Sequence, residues 1–163
     1  MIGSNKSIAR VGVATVFTLV ATTGLMSILT AHALGGAMCK GHVATIVGTS
    51  GADQIVGTPQ RDVIQARGGA DEIRARGGND LICAGRGNDE IRGGRGNDHV
   101  SASVGADELF GAAGWDRLYA ARGNDHLSGG RGRDRLSGGL GFDEGNGGPG
   151  ADFCASVENS SSC

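Results

Sequence analysis

The sequence predicts an all-β fold, a right-handed parallel β-roll (a β-solenoid) built from glycine-rich nonapeptide repeats. Three observations predict it. A nine-residue period runs without insertion from Gly48 to Ala155, the sixth place of every repeat is Asp, and the eighth is Ile, Val or Leu from Ile55 to Leu136. Fixed periods of this kind mark stacked repeat architectures, in which each unit buries its apolar residue only against its neighbours.

The chain before the repeats reads as a separate element. Lys6 and Arg10 open residues 1–33, an apolar run follows from Val11 to Leu29, and Ala31-His32-Ala33 offers small residues where a signal peptidase reads. This is the pattern of a secretory signal cleaved after Ala33. An uncleaved anchor is the alternative, because the run is nearly long enough to span a bilayer. Lipidation at Cys39 is disfavoured by Met38 in front of it. Residues 34–47 are expected to form an N-terminal segment and cap. The stretch from Cys39 to Val47 reads as a degenerate repeat, with Ile46 in the eighth place and Ala44 where the aspartate would be. With so short a segment ahead of the repeats, no passenger domain is expected.

Residues 48–155 form twelve repeats. Glycine supplies 32 residues of the chain, against four Phe, one Trp and one Tyr, so bulky side chains cannot build an ordinary core. The first six places of the repeat, rich in glycine and ending in Asp, suit tight turns. The last three are expected to form a short strand, the eighth side chain pointing inward and the seventh and ninth outward. Two repeats make one turn of a flattened solenoid. Six turns at the ~4.8 Å strand spacing give a rod roughly 29 Å long.

Repeats two apart then stack on one edge. One edge carries Asp53, Asp71, Asp89, Asp107, Asp125 and Asp143, the other Asp62, Asp80, Asp98, Asp116, Asp134 and Asp152, and the chain has no other aspartate. Carboxylates on the order of 5 Å apart repel by about 1 kcal/mol in water and about 3 to 4 kcal/mol at an effective dielectric of 20. Summed along both edges this rivals the whole stability of a domain, about 5 to 15 kcal/mol. Counter-ions are therefore required. Carboxylates and glycine carbonyls are hard oxygen donors in flexible loops, which suit Ca²⁺ rather than zinc or copper. With a dissociation constant near 0.1 mM, about 1 mM calcium would add about 1.4 kcal/mol per site. If the aspartates only capped turns, Asn or Ser would serve equally, yet neither occupies the sixth place anywhere.

The repeat Gly93-Gly94-Arg95-Gly96-Asn97-Asp98-His99-Val100-Ser101 resembles the repeat-in-toxin, or haemolysin-type, calcium-binding family at every fixed place of its consensus, G-G-x-G-x-D-x-U-x. The resemblance implies a parallel β-roll with calcium held in the turns by the sixth-place aspartates and backbone carbonyls. The repeats containing Asp62, Asp107 and Asp116 depart most from the pattern, through Thr58-Pro59-Gln60, the absent glycine pair before Val104, and Ala112. Many family members carry the repeats behind an enzyme or toxin domain and leave by a C-terminal signal. This chain has the N-terminal pattern instead.

Residues 156–163 are expected to fold back as a C-terminal cap, since Gly145 and Cys154 interrupt the inward aliphatics. Four cysteines in the exported part suit two disulfides in an oxidising compartment. Cys83 and Cys154 lie about four rungs apart, near 19 Å, beyond disulfide reach. The expected pairs are Cys39–Cys83 and Cys154–Cys163, each fastening a cap.

No H-E-x-x-H, G-x-S-x-G or P-loop is present, so no catalytic residue is assigned and the chain is expected to be non-enzymatic. His99 and His126 read as solvent-facing strand residues. Arg86, Arg95, Arg122 and Arg131 share the third place and are expected to offset carboxylate charge, or to form a basic stripe for anionic glycans. Phe110, Trp115 and Tyr119 are expected to cluster, as local packing or as a carbohydrate or partner contact. Beyond residue 33 the chain has four more acidic than basic residues, which argues against nucleic acid, and no apolar stretch long enough to insert in a membrane. The expected function is calcium binding outside the cell by a roll that folds on the ion. The alternatives are a calcium-dependent cell-surface or matrix adhesion module and a remnant of a haemolysin-type toxin.

Overall fold

The computed structural model describes residues 37–163 and the two-residue strand Ser7–Ile8. Apart from that strand, the signal-like segment lies outside the described residues. In chain order the strands are β1 (Ser7–Ile8), β2 (Met38–Cys39), β3 (His42–Val43), β4 (Ile46–Val47), β5 (Asp53–Val56), β6 (Val63–Gly68), β7 (Glu72–Gly77), β8 (Leu81–Arg86), β9 (Glu90–Arg95), β10 (His99–Val104), β11 (Glu108–Gly114), β12 (Arg117–Arg122), β13 (His126–Gly132), β14 (Arg135–Leu140), β15 (Glu144–Asn146), β16 (Phe153–Ala155) and β17 (Asn159–Ser161). Successive strands from β4 onward alternate between two parallel sheets. One has eight strands in the order β1-β5-β7-β9-β11-β13-β15-β17, the other seven in the order β16-β14-β12-β10-β8-β6-β4.

The register follows directly from the period. Ile91 pairs with Leu109 and Val100 with Leu118, each partner 18 residues on. The eighth-place side chains from Ile46 to Leu136 meet between the sheets and form one continuous buried stack. The fold is thus the expected parallel β-roll of about six turns.

The strands are longer than the sequence suggested. They run through the seventh, eighth, ninth, first, second and third places, as in Glu72–Gly77, rather than over the last three alone. The first place is therefore not a turn position. It is the second inward position of the strand, and Ala66, Ala75, Ala84, Ala102 and Ala120 are buried there beside the aliphatics. Only a small residue fits: a Cβ added to Gly48 would lie 2.7 Å from both Asp53 Oδ2 and the Ala66 carbonyl oxygen. The turn proper centres on the fourth place. Gly96 has φ 116°, and a Cβ there would overlap the carbonyl oxygen of Gly78 in the rung before it. Neighbouring turns approach so closely that glycine is required.

Both ends are closed by departures from the repeat. At the start, β2 and β3 form an antiparallel hairpin that the sequence did not predict. Its Cys39 is buried with Val63 and Leu81 on the outer face of the seven-stranded sheet, and is bonded to Cys83. As expected, Ile46 lies in the core, paired with Ile64. At the far end β17 does not fold back. It continues the eight-stranded sheet, pairing in parallel with β15. Val157 reaches toward the space left by Gly145, where an added Cβ would sit 2.9 Å from Val157 Cγ1. Cys154 is bonded to Cys163, with Cα atoms 5.7 Å apart. Both disulfides join the expected partners.

Candidate metal centre

The two edges of the roll carry the sixth-place aspartates in the two expected columns. From Asp53 to Asp143 these side chains are buried, none more than 5 % exposed, and Asp152 is half-buried. Burying a carboxylate is costly unless it is hydrogen-bonded and its charge is met.

Half of that requirement is met by the backbone. In each column the amide of one aspartate donates to Oδ1 of the aspartate 18 residues ahead, from Asp53 N to Asp71 Oδ1 (2.8 Å) through Asp125 N to Asp143 Oδ1 (3.0 Å). The second column does the same, from Asp62 N to Asp80 Oδ1 (2.7 Å) through Asp134 N to Asp152 Oδ1 (2.8 Å). Glu158 extends the first column: its Oε2 accepts the Asp143 amide at 2.7 Å, where a further aspartate would stand.

The other half is unmet. Oδ2 of Asp71, Asp80, Asp89, Asp98, Asp107, Asp116, Asp125, Asp134, Asp143 and Asp152 is buried with no hydrogen-bond partner. Buried polar atoms are rarely left so, and each needs a reason. Asp53 and Asp62 differ. Asp53 Oδ2 accepts from the Thr49 amide (2.6 Å) and hydroxyl (3.1 Å), and Asp62 Oδ2 from the Thr58 amide (2.7 Å) and hydroxyl (3.0 Å). In other repeats the second place bends into the left-handed region, at Arg76 (φ 79°) and Gly94 (φ 114°) for example. Thr49 and Thr58 are not among the residues with positive φ, and their amides turn instead to the carboxylate.

The electrostatics agree. Burial pushes the carboxyl of Asp89 and of Asp116 up to about 7, and the neighbouring aspartates of their columns push the same way against the bond from the backbone amide. Asp80 and Asp107 are raised to about 6 by the same causes, burial first. Asp71, Asp98, Asp125 and Asp134 shift upward too, again chiefly through burial. The charged columns are therefore uncomfortable without a cation, chiefly through burial and only secondarily through the repulsion between neighbours on which the sequence argument rested.

The donor set fits calcium. Among the described residues no three His, Cys, Asp or Glu side chains converge on one point. A metal on these edges must take most of its six to eight ligands from main-chain carbonyls and water, which calcium accepts. The residues that would hold it are the ten aspartates with a free Oδ2.

One ladder was missed in the sequence. Fifth-place asparagines clasp the rungs in the opposite direction: Asn79 Oδ1 accepts the Asn97 amide (2.8 Å), Asn97 Oδ1 the Trp115 amide (2.8 Å) and Asn124 Oδ1 the Phe142 amide (3.0 Å). The signal was present as the recurrent Asn-Asp pair, which marks turns in any case and so drew no separate role. Two other groups of residues are placed differently from what was expected. The third-place arginines Arg86, Arg95, Arg122 and Arg131 form no ion pair with an aspartate among the described residues, whose salt bridges are Arg74–Glu72, Arg92–Glu90 and His126–Glu144. All four are exposed, while the carboxylates are buried. The three aromatics do not form one cluster: Phe110 lies on the eight-stranded sheet, while Trp115 and Tyr119, from the next repeat, border one groove on the seven-stranded side. Phe110 packs with Arg92 and His126, and Tyr119 with His99 under the Lys40 ammonium, while Trp115 stands exposed. The two histidines are thus packed on the outer faces rather than fully in solvent.

The family model described as the RTX calcium-binding nonapeptide repeat matches four times, over residues 47–82, 84–114, 110–145 and 119–154. No individual curated protein matches the chain. The matches span most of the chain and nearly all of the roll: the chain belongs to the RTX calcium-binding nonapeptide repeat family, and its repeats bind Ca²⁺.

Proposed function

We propose that this protein is an exported, non-enzymatic module whose roll closes when calcium settles along its two edges. The single observation that carries the proposal is the row of ten buried Oδ2 atoms without partners. In it, Asp71, Asp89, Asp107, Asp125 and Asp143 serve one edge, and Asp80, Asp98, Asp116, Asp134 and Asp152 the other, with turn carbonyls completing the shell. Asp53 and Asp62 hold the first rung through Thr49 and Thr58 instead. Calcium supplies the positive charge that the columns lack. The chain's own residues supply the backbone clasp at Oδ1 and the glycine turns that let rungs approach.

Residues 1–33 act as the secretory signal in this proposal, 34–47 as the N-terminal cap, 48–155 as the repeats and 156–163 as the C-terminal cap. Cleavage after Ala33 would remove β1 and expose β5 as the outer strand. The two disulfides support an oxidising compartment. Among the described residues no helix is long and apolar enough to cross a membrane. In calcium-poor cytosol the chain would remain open for export, and folding would follow outside.

Far-ultraviolet circular dichroism during calcium titration of residues 34–163 tests this, with calorimetry giving the stoichiometry. The expected result is a cooperative rise of β signal with calcium uptake. A full β signal in excess chelator, unchanged by calcium, would overturn it.

A further inference from the structure

The two outer faces of the roll are chemically unlike. Glu72, Glu90, Glu108 and Glu144 all stand at outward seventh places of the eight-stranded sheet. The seven-stranded sheet has no carboxylate at an outward place in any of its strands. Its early part is covered, since the β2–β3 hairpin seats Cys39 on Val63 and Leu81. The cover ends where Lys40 Nζ meets His99 Nε2 at 2.9 Å and lies over the Tyr119 ring.

Beyond that point the face is open. A groove of about 970 Å³ is lined on its outer side by Trp115, Arg117, Tyr119, Arg133, Arg135 and Phe153. Arg117 and Arg135 are direct cross-strand partners, and Phe153 follows Arg135 in the same row. Like charges placed opposite each other on adjacent strands destabilise a sheet. No acidic group among the described residues pairs with these arginines. Trp115 and Phe153 stand 65 % and 62 % exposed beside them, although large apolar side chains are ordinarily covered. The Trp115 backbone is fixed by its bond to Asn97, so the ring stands on a rigid turn.

We propose that this groove binds an acidic polysaccharide, a linear sugar polymer carrying carboxylates. Guanidinium groups take carboxylates in two-pronged hydrogen bonds. Exposed aromatic rings pack against the apolar faces of sugar rings. The row of places repeats at the ~4.8 Å strand spacing, which suits a regular extended polymer lying along the roll. A polyphosphate backbone is the poorer fit, because a charge on every unit would meet more repulsion from Asp98, Asp116, Asp134 and Asp152 at the border of the groove than carboxylates spaced by neutral sugars would. This inference needs the folded roll but not the assignment of any one calcium ligand.

Trp115 is the chain's one tryptophan, so its fluorescence reports on the groove alone. The calcium-loaded protein, with its fold checked by circular dichroism, is titrated with hyaluronan oligosaccharides, with neutral dextran of equal length, and with oligodeoxythymidylate. The expected result is a saturable change in emission with hyaluronan and none with dextran. The double variant Arg117→Gln/Arg135→Gln should weaken binding by about tenfold or more. Arg133→Gln should weaken it less, and Arg74→Gln on the opposite face should leave it unchanged. A folded protein whose Trp115 ignores hyaluronan would overturn the proposal. So would an equal response to dextran, tighter binding of oligodeoxythymidylate, or a folded double variant that binds as the parent does. A protein without calcium-dependent β signal would instead count against the folding proposal, which the dichroism reads separately.

Discussion

The amide of Asp98 donates to Oδ1 of Asp116 at 2.8 Å, while Oδ2 of the same Asp116 carboxylate is buried without a partner. One side chain thus has two separable duties, a neutral one toward the backbone of the previous rung and a charged one toward a cation. Substitutions can divide them. Asp116→Asn keeps an acceptor for the Asp98 amide and removes the charge. It should raise the β signal of the calcium-free protein and lower the number of ions bound. Asp116→Ala removes both and leaves a buried amide unpaired, at about 1–3 kcal/mol. It should lower the melting temperature with and without calcium. Melting curves under both conditions, together with calorimetric stoichiometry, check the pair.

Proton binding should imitate cation binding. Asp89 and Asp116 titrate at about 7 in the roll, and Asp80 and Asp107 at about 6, because burial disfavours their charge. An unfolded aspartate titrates near ~3.9. Between those values the folded chain holds more protons than the unfolded one, so stability falls as pH rises. The contribution is complete below about pH 4 and is lost as pH climbs through 6 to 7. Calcium-stripped protein should therefore gain β signal as pH is lowered from 8 to 5, and calcium affinity should rise over the same interval in the other direction. A dichroism series on stripped protein reads the first, and a calcium titration at each pH the second.

The first rung should be insensitive to calcium. Thr58→Val deletes the hydroxyl that reaches Asp62 Oδ2 at 3.0 Å and keeps the amide bond. The expected cost is about 1 kcal/mol of stability, with no ion lost from the stoichiometry. A drop in bound calcium would place an ion at Asp62 after all.

Removing the N-terminal staple should matter more than removing the C-terminal one. Cys39 and Cys83 are 44 residues apart, and Cys154 and Cys163 are 9 apart. On the chain-entropy argument the losses are about 4 and about 3 kcal/mol. Paired Cys→Ser variants compared by denaturant titration in saturating calcium give the order.

Gly96→Ala should be among the most damaging single-methyl changes in the chain. The residue sits at φ 116°, and its Cβ would overlap the Gly78 carbonyl. Strain of about 1–3 kcal/mol is expected from the backbone alone. Gly51→Ala, in a first-rung turn with no positive φ and no close neighbour to an added Cβ, should be nearly neutral by the same melting assay.

Much of this architecture was legible before the structure, and the reason is periodicity. An aliphatic at the eighth place and an aspartate at the sixth fix which atoms face the core and which line the edge, and one repeat predicts the next. Ile55 and Asp89 fell where their places required. What stayed hidden lies where residues act differently from their class. Small residues at the first place resemble turn formers, yet Ala75 is buried in a strand beside the aliphatic stack. Thr58 looked like a defect in the glycine pattern and proves to be a substitute ligand for Asp62. Glu158 lies outside the period altogether, so nothing in the repeat announced that its longer side chain would complete the column above Asp143. The contrast between the outer faces, Glu108 against Arg117, was present in the alternation of repeats, but it stays hidden when exposed seventh-place residues are read singly as solvent-facing.

Register by 18 residues has a consequence for how such a chain can change its size. Excising one whole circuit, for example residues 84–101, would join edges that already share the same pairing rules and leave a shorter rod with its ends intact. Excising a single nonapeptide would send everything downstream to the opposite side, setting Glu-bearing strands beneath Arg-bearing ones. Growth and shrinkage of this molecule are quantised in pairs.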